Sequence, residues 1–142
     1  MHEQEWQAVQ EFSYPSEQGN ERIAAMDVAE VARQYLPEAR LEQLKTAVAE
    51  ATLNAIEHGN QNQPELTVRV QVLLSELDLG VRITDQGGDK PIPENTRPDL
   101  DRKLAGLESP RGWGLYLIRN MVDEMNITSD TDHHTLELVF HR

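Results

Sequence analysis

The chain has no cysteine among its 142 residues, and aromatic residues make up only 5% of it. A disulfide framework and a thiolate metal site are therefore excluded, and this composition is typical of a reducing compartment. No apolar run approaches the ~20 residues that span a bilayer, and the first five residues lack the basic-then-apolar form of a signal peptide. We therefore expect a cytoplasmic protein that is neither exported nor inserted into a membrane.

Positive charge is also scarce, because 13 Lys and Arg residues stand against 25 Asp and Glu residues, giving a formal net charge of -12. A surface this acidic repels phosphate backbones and anionic lipids, so direct binding to nucleic acid or to a membrane is disfavoured. Any anionic ligand would have to be held by a cation and by local backbone dipoles. The length suits a single core, and we predict one domain over residues 1–142.

The apolar pattern of the first half predicts a strand ending at Pro15, helices within residues 16–35 and 41–58, and a β-hairpin. The inward positions that it predicts are Trp6, Ala8, Phe12 and Tyr14 in the strand; Ile23, Met26, Val31 and Tyr35 in the first helix; Leu44, Val48, Ala51 and Ala55 in the second; and alternate residues over 68–72 and 77–83 in the hairpin.

Residues 86–111 show no sustained period and are rich in glycine and proline, which is typical of a lid or binding loop. A third helix follows, then a strand over 126–129 and a last strand; their predicted inward residues are Leu115, Ile118 and Val122, then Leu136, Leu138 and Phe140. This order predicts an α+β fold, a two-layer sandwich with helices on one face of a mixed, mostly antiparallel sheet.

Three polar residues on the second helix, Glu50, Asn54 and His58, are spaced by four and form a ridge beside its apolar stripe. One interpretation is an ordinary solvated helix face. Asn54 favours a functional interpretation, because asparagine is a poor helix former and does not stabilise the middle of a helix unless its side chain has a partner. An amide oxygen suits Mg²⁺, and a carboxylate one turn away can take a proton from a hydroxyl.

Asp85 ends the second strand of the hairpin with the same parity as its core-facing residues, so we expect it to point inward. A buried acid is costly unless it is paired. Gly87 and Gly88 follow and would let a ligand approach the backbone. The alternative is that Asp85 caps a turn, since Asp before two glycines is good turn chemistry.

Residues Arg111-Gly112-Trp113-Gly114-Leu115 place two glycines at the start of a helix, where free N–H groups can bind phosphate and Arg111 adds positive charge. The alternative is that these two glycines only begin a helix and bind no phosphate. No Rossmann fingerprint and no P-loop motif occurs in the chain. His133 and His134 are interpreted as a solvated hairpin tip rather than a metal site.

Together, Glu50-x-x-x-Asn54-Ala55-x-x-His58-Gly59, Asp85-x-Gly87 and Arg111-Gly112-Trp113-Gly114-Leu115 resemble the N, G1 and G2 boxes of the GHKL ATPases. We expect 142 residues to leave no space for further domains or a phosphoacceptor helix. Residues 112–124 and 50–59 are similar to the corresponding segments of the anti-sigma-factor serine kinases, so the chain most resembles that family. The resemblance implies ATP and Mg²⁺ as cofactors. It also implies a sigma factor and a small anti-sigma-factor antagonist as partners, and a homodimer.

By that resemblance Glu50 is the general base, Asn54 the Mg²⁺ ligand, Asp85 the acceptor of the adenine amino group, and Thr135 part of the adenine site. The remaining expected nucleotide-binding residues are His58, Gly87, Gly88, Arg111, Gly112, Trp113, Gly114 and Leu115.

The chain departs from the family pattern where Gly88 precedes Asp89, which displaces the second G1 glycine and bears on lid closure. Three functions follow as hypotheses: a kinase that also sequesters a sigma factor, a nucleotide-gated binding module without transfer, and a switch kinase that activates a phosphatase.

Overall fold

A computed structural model describes residues 5–87 and 114–142, so most of the expected lid segment lies outside the described residues. The elements are β1 (Gln7–Pro15), α1 (Asn20–Ala32), α2 (Glu38–Asn54), β2 (Thr67–Leu74), β3 (Asp78–Asp85), α3 (Gly114–Met121), β4 (Glu124–Ser129) and β5 (His134–His141). A wider, π-helical turn over Ala55–Gly59 continues α2. The predicted order of elements is confirmed.

The five strands form one sheet in the order β1-β2-β3-β5-β4, and the four pairings among these described strands are all antiparallel. Alternate residues of the three central strands face the helices and are buried: Val68, Val70, Val72, Leu79, Val81, Ile83, Leu138 and Phe140. Burial of each such side chain contributes about 1.5–3 kcal/mol before entropy is counted. The predicted α+β sandwich is confirmed. Leu77 is an exception to the predicted pattern, because it precedes β3 in the turn and is exposed.

The buried face of α1 differs from the predicted one. Ile23 and Met26 are 50% and 68% exposed. The helix instead buries a stripe of mostly small residues, Ala24, Ala25, Val28, Ala29 and Ala32, and it packs against α2. Alanine carries a single methyl group, so it lets two helix backbones approach closely, and this close packing outweighs burial of the larger residues.

In β1 the prediction holds for Phe12 and Tyr14 and is wrong for Ala8. The pairing with β2 shifts register between Ala8 and Gln10. Such a bulge reverses the alternation of side chains, so Ala8 is exposed and Val9 packs against the core instead.

The apolar stripe predicted for α2 is confirmed, since Leu44, Val48, Ala51 and Ala55 are all buried. This fixes the helix rotation and turns the neighbouring ridge toward α3, which α2 also contacts. Within residues 5–87 and 114–142, no helix is both long and apolar enough to cross a membrane.

The far end of the sheet from Asp85 carries a pair that makes stability depend on pH. His141 Nδ1 lies 2.6 Å from Oδ1 of buried Asp78. This hydrogen bond is the largest cause of a raised pKa of His141. Desolvation, the next in size, opposes it, and the charges of Asp123, Asp78 and Glu124 raise the pKa further. The stabilisation is fully present below the unfolded histidine pKa of about 6.5 and is lost as pH rises through the higher folded pKa.

We therefore expect the free energy of unfolding to fall between pH 6 and pH 8.5 more steeply in the unsubstituted chain than in His141→Gln. Urea unfolding across that range, with His58→Gln as a control on an exposed histidine, measures the difference. Equal slopes in all three proteins would contradict the assignment.

Candidate functional site

Asp85 is buried where β3, β5 and the π-helical turn meet, as its parity predicted. Its Oδ1 accepts a hydrogen bond from the backbone N–H of Gly87 at 2.8 Å and a longer one, 3.4 Å, from that of His134. Backbone donors of this kind offset the cost of burying a carboxylate. The bond to Gly87 also makes Asp85 the cap of a turn, which was the alternative predicted from the sequence. Asp85 is therefore both a buried acid and a turn cap.

Two glycines make room for Asp85. A Cβ added to Gly59 would lie 2.8 Å from Asp85 Cβ and closer still to its carboxylate. A Cβ added to Gly87 would lie 2.8 Å from the carbonyl carbon of Gly59 and 3.1 Å from its Cα. Any larger side chain at either position would displace Asp85 or separate the two backbone segments.

The π-helical turn, which the sequence analysis missed, brings Gly59 to this position. The N–H of Asn60 donates to the carbonyl of Ala55 at 2.8 Å, an i→i+5 bond. Turns of this type widen a helix locally and occur often at functional sites. His58, predicted on the polar ridge, lies in this turn with an exposed side chain and contributes to the wall of the cavity described below.

Asn60 is a second feature that sequence reasoning missed. It is fully buried, and its Nδ2 donates to Ser16 Oγ at 2.9 Å and to the carbonyl of Thr67 at 3.2 Å. Its Oδ1 accepts from the N–H of Gln86 at 2.7 Å. One side chain thus fixes the residue after Asp85 to the start of β2 and to the end of β1.

A cavity opens between α2, the π-helical turn and the β3–β5 edge. Its lining is mostly apolar, with polar groups from the helix on one side and from the strands on the other. The lining residues are Ala51, Asn54, Ala55, His58, Gly59, Ile83, Asp85, Leu115, Ile127, His134, Thr135 and Leu136.

At one end of the cavity, the first residue of α3 contacts the polar ridge of α2. A Cβ added to Gly114 would lie 2.8 Å from Asn54 Nδ2 and 3.0 Å from Glu50 Oε1. Glu50 and Asn54 are half-buried, as their position beside the apolar stripe predicted. The start of the described part of α3 therefore faces a carboxylate and an amide.

At the other end, β5 pairs with β3 so that His134 lies opposite Asp85 and Thr135 opposite Thr84. The hydroxyls of Thr135 and Thr84 are 3.4 Å apart. Because side chains alternate along a strand, it is His134 that shares the face of Asp85, with its Nδ1 3.4 Å from Asp85 Oδ1. Thr135 also lines the cavity, but His134 was interpreted as part of a solvated tip, and that interpretation is wrong for this residue.

The predicted residues Gly88, Arg111, Gly112 and Trp113 lie outside the described residues. Leu115 is buried and lines the cavity. Of the predicted set, the structure brings Asn54, His58, Asp85, Leu115 and Thr135 together around one cavity, with Glu50, Gly87 and Gly114 at its margins.

The residues present fit a nucleotide with its Mg²⁺ ion. Gly114 lacks a Cβ at the point where one would meet Asn54 and Glu50, and this leaves backbone N–H groups beside a potential Mg²⁺ ligand. Within residues 5–87 and 114–142, no three His, Cys, Asp or Glu residues group to hold a metal by themselves. A nucleotide-bound Mg²⁺ needs only one or two protein oxygens, because phosphates and water complete its shell.

Comparison with known proteins agrees with this architecture. The family described as the histidine kinase-like ATPase domain matches residues 14–140, and the chain belongs to that family. One relative is the anti-sigma F factor of Anoxybacillus flavithermus, which is 33% identical over 86% of this chain and 84% of the relative. Another is the anti-sigma F factor of Geobacillus stearothermophilus, which is 32% identical over 88% of this chain and 84% of the relative.

Two solved structures share the fold. The RsbU and RsbW domains of Rv1364c from Mycobacterium tuberculosis match 94% of this chain with a TM-score of 0.65 and 16% identity, and this chain spans 33% of that protein. The SiaB-SiaC complex from Pseudomonas aeruginosa contains a chain matched over 94% of this one and 89% of its own length, with a TM-score of 0.62 and 14% identity.

Proposed function

We propose that the chain is an anti-sigma regulator that uses ATP to phosphorylate a serine of a small antagonist protein and otherwise binds a sigma factor. The observation that carries the catalytic part is the contact of Gly114 with Glu50 and Asn54 beside the cavity. Membership of an ATPase family and similarity to proteins named anti-sigma F factors support the nucleotide and the partners.

In this proposal Asp85 and the apolar lining would hold the base, and the start of α3 would hold the phosphates. Backbone N–H groups there donate to phosphate oxygens, where the helix dipole favours negative charge. Asn54 would hold the Mg²⁺ through its amide oxygen. The bound Mg²⁺ supplies neutralisation of phosphate charge in a chain whose net charge is otherwise strongly negative.

Glu50 is the general base of the transfer. Its carboxylate takes the proton of the serine hydroxyl as the new oxygen–phosphorus bond forms, while the bond from the γ-phosphorus to its bridging oxygen breaks and ADP leaves. The half-buried position of Glu50, one helical turn before Asn54, suits it to reach a hydroxyl that approaches the terminal phosphate.

The remaining expectations are also proposals: a homodimer, a cytoplasmic location, a sigma factor as partner and no direct contact with nucleic acid. The acidic surface supports the last of these, since it would repel a phosphate backbone.

The test separates nucleotide binding from transfer. Calorimetric titration with ATP should show saturable, Mg²⁺-dependent binding that weakens about tenfold or more in Asn54→Ala, which removes an oxygen contact to a charged ligand. Glu50→Gln should bind ATP nearly as well as the unsubstituted chain. In a lysate of the source organism supplied with ATP labelled by heavy oxygen at its γ-phosphate, the same variant should slow labelling of a small protein by about 10²–10⁴-fold.

Glu57→Gln is the matched control, because Glu57 follows Glu50 by two turns and contacts Gln18. It should label the substrate at the normal rate. ATP binding without labelled serine would favour the nucleotide-gated binding module, and labelling of a phosphatase regulator would favour the switch kinase. Failure to bind ATP would reject all three hypotheses: the kinase, the nucleotide-gated binding module and the switch kinase.

A further inference from the structure

The segment that joins β1 to α1, residues 16–20, contacts the π-helical turn and the residue after it at two points. Asn60, which directly follows the turn, donates through Nδ2 to Ser16 Oγ at 2.9 Å, and both residues are fully buried. On the surface, Gln18 Nε2 donates to Glu57 Oε2 at 3.0 Å. The same turn supplies three lining residues of the cavity, whereas none of the described lining residues belongs to this segment, which we call the β1–α1 junction.

The β1–α1 junction has few buried contacts of its own. Of its five residues only Ser16 is buried. The junction enters α1 through Gly19, which has a φ of 107° and supplies no side-chain cap to the helix. Segments of this kind open locally at a lower free-energy cost than global unfolding. Ser16 Oγ also donates to the carbonyl of Leu66 at 2.6 Å, so Ser16 is the residue that keeps the junction closed.

The amide of Asn60 also holds the backbone beside the buried acid of the cavity. Its Oδ1 accepts from the N–H of Gln86, the residue after Asp85, at 2.7 Å. When Ser16 moves away, one Nδ2 hydrogen of this buried amide loses its acceptor, and the side chain has to turn to regain one. The same turn moves the acceptor of the Gln86 N–H, so the junction and Asp85 are coupled through one amide.

We propose that the β1–α1 junction is a conformational device that a nucleotide in the cavity holds closed. This coupling rests on the proposed nucleotide site. In the closed state Ser16 is bonded to Asn60, and Asp85 is held in place for the ligand; in the open state both are released. Nucleotide binds the closed state more tightly, and the coupling is reciprocal, so closure favours nucleotide by the same factor.

The reciprocity gives one number that two experiments measure. Saturating nucleotide lowers the open population of the junction by the ratio of its affinities for the closed and open states, which is about 5–150-fold for a typical coupling. A chain without the Ser16 bond should bind nucleotide more weakly by the same ratio. Because the closed state predominates in the free protein, only loss of this bond itself lowers the affinity strongly.

Amide hydrogen exchange of the unsubstituted chain is the first experiment. The amides of Gly19 and Asn20 are hydrogen-bonded within the junction, and their exchange should slow by about 5–150-fold at saturating ATP with Mg²⁺. The amides of Ser75 and Asp78, in the turn between β2 and β3 at the far end of the sheet, are the internal reference and should keep their rates. Exchange through global unfolding is recognised by its steep dependence on urea and is set aside.

Titration calorimetry of Ser16→Ala is the second experiment. Its affinity for ATP should fall by the factor by which ATP slows exchange at Gly19 in the unsubstituted chain, and exchange at Gly19 in the variant should no longer respond to ATP. Ser13→Ala is the matched control, because Ser13 lies three residues earlier in β1 and is exposed. It should keep both the affinity and the response.

Unchanged exchange at Gly19 and Asn20 in an unsubstituted chain that binds ATP would overturn the coupling and leave the nucleotide site intact. An affinity of Ser16→Ala equal to that of the unsubstituted chain, or a response to ATP that persists in this variant, would also overturn it. Absence of ATP binding by the unsubstituted chain would instead overturn the proposed function, and the coupling with it.

Discussion

Gly59→Ala is expected to abolish ATP binding and to lower the free energy of unfolding by about 3 kcal/mol, the upper end of the usual cost of overpacking. The new Cβ would fall on the buried carboxylate of Asp85 and 2.8 Å from its Cβ. Asp85 cannot move away easily, because it ends a paired strand and its Oδ1 accepts from the N–H of Gly87. Denaturant unfolding and titration with ATP measure the two effects.

Gly19→Ala provides the control for the substitution itself. Gly19 has a φ of 107°, and an added Cβ there meets no atom within 4 Å. We expect backbone strain of about 1–3 kcal/mol and unchanged affinity for ATP. If Gly59→Ala bound ATP normally, Asp85 would not be the residue on which the base site depends.

Asn60→Ala is expected to lower the free energy of unfolding by about 3 kcal/mol, because a buried side chain that joins three segments is lost. The substitution leaves the N–H of Gln86 and the carbonyl of Thr67 without this partner, and each such group costs about 1–3 kcal/mol when it is not satisfied. Urea unfolding measures the loss. Amide hydrogen exchange should show faster exchange at Gln86, next to Asp85.

Asn120→Ala is a suitable comparison, because the Asn120 side chain is exposed and donates to the carbonyl one turn earlier in its own helix. Its effect should stay within about 0.5 kcal/mol. Similar losses for the two variants would mean that the buried hydrogen bonds of Asn60 add nothing beyond an ordinary asparagine contact.

The histidine kinase-like fold was predictable because local periodicity carries the information. The stripe of Leu44, Val48 and Ala51 and the alternation from Leu79 to Ile83 appear in the structure as buried faces. The same parity predicted that Asp85 is buried, and the position of Glu50 and Asn54 beside the stripe predicted that they are half-buried.

Periodicity failed to predict the buried face of an element where a single inserted residue, or the surface of the element packed against it, decides which side chains are buried. The bulge at Val9 reverses the alternation of β1, and no residue near it signals the shift. In α1 both Ile23 and Ala24 suit a helical stripe, and only the proximity of α2 selects the alanine face.

The amino-acid sequence by itself thus determined the order of the elements, the buried faces of α2 and β3, and the presence of a carboxylate, an amide and glycines typical of an ATP site. Only the tertiary structure decided that Gly114 contacts Glu50 and Asn54, that Asn60 joins β1, β2 and the end of β3, and that His134 lies opposite Asp85. The reason is physical: periodicity is set by neighbours along the chain. Apart from the bond of Asn60 to Thr67, these contacts join residues 26 to 64 positions apart, and the strand register that long-range pairing fixes is needed to form them.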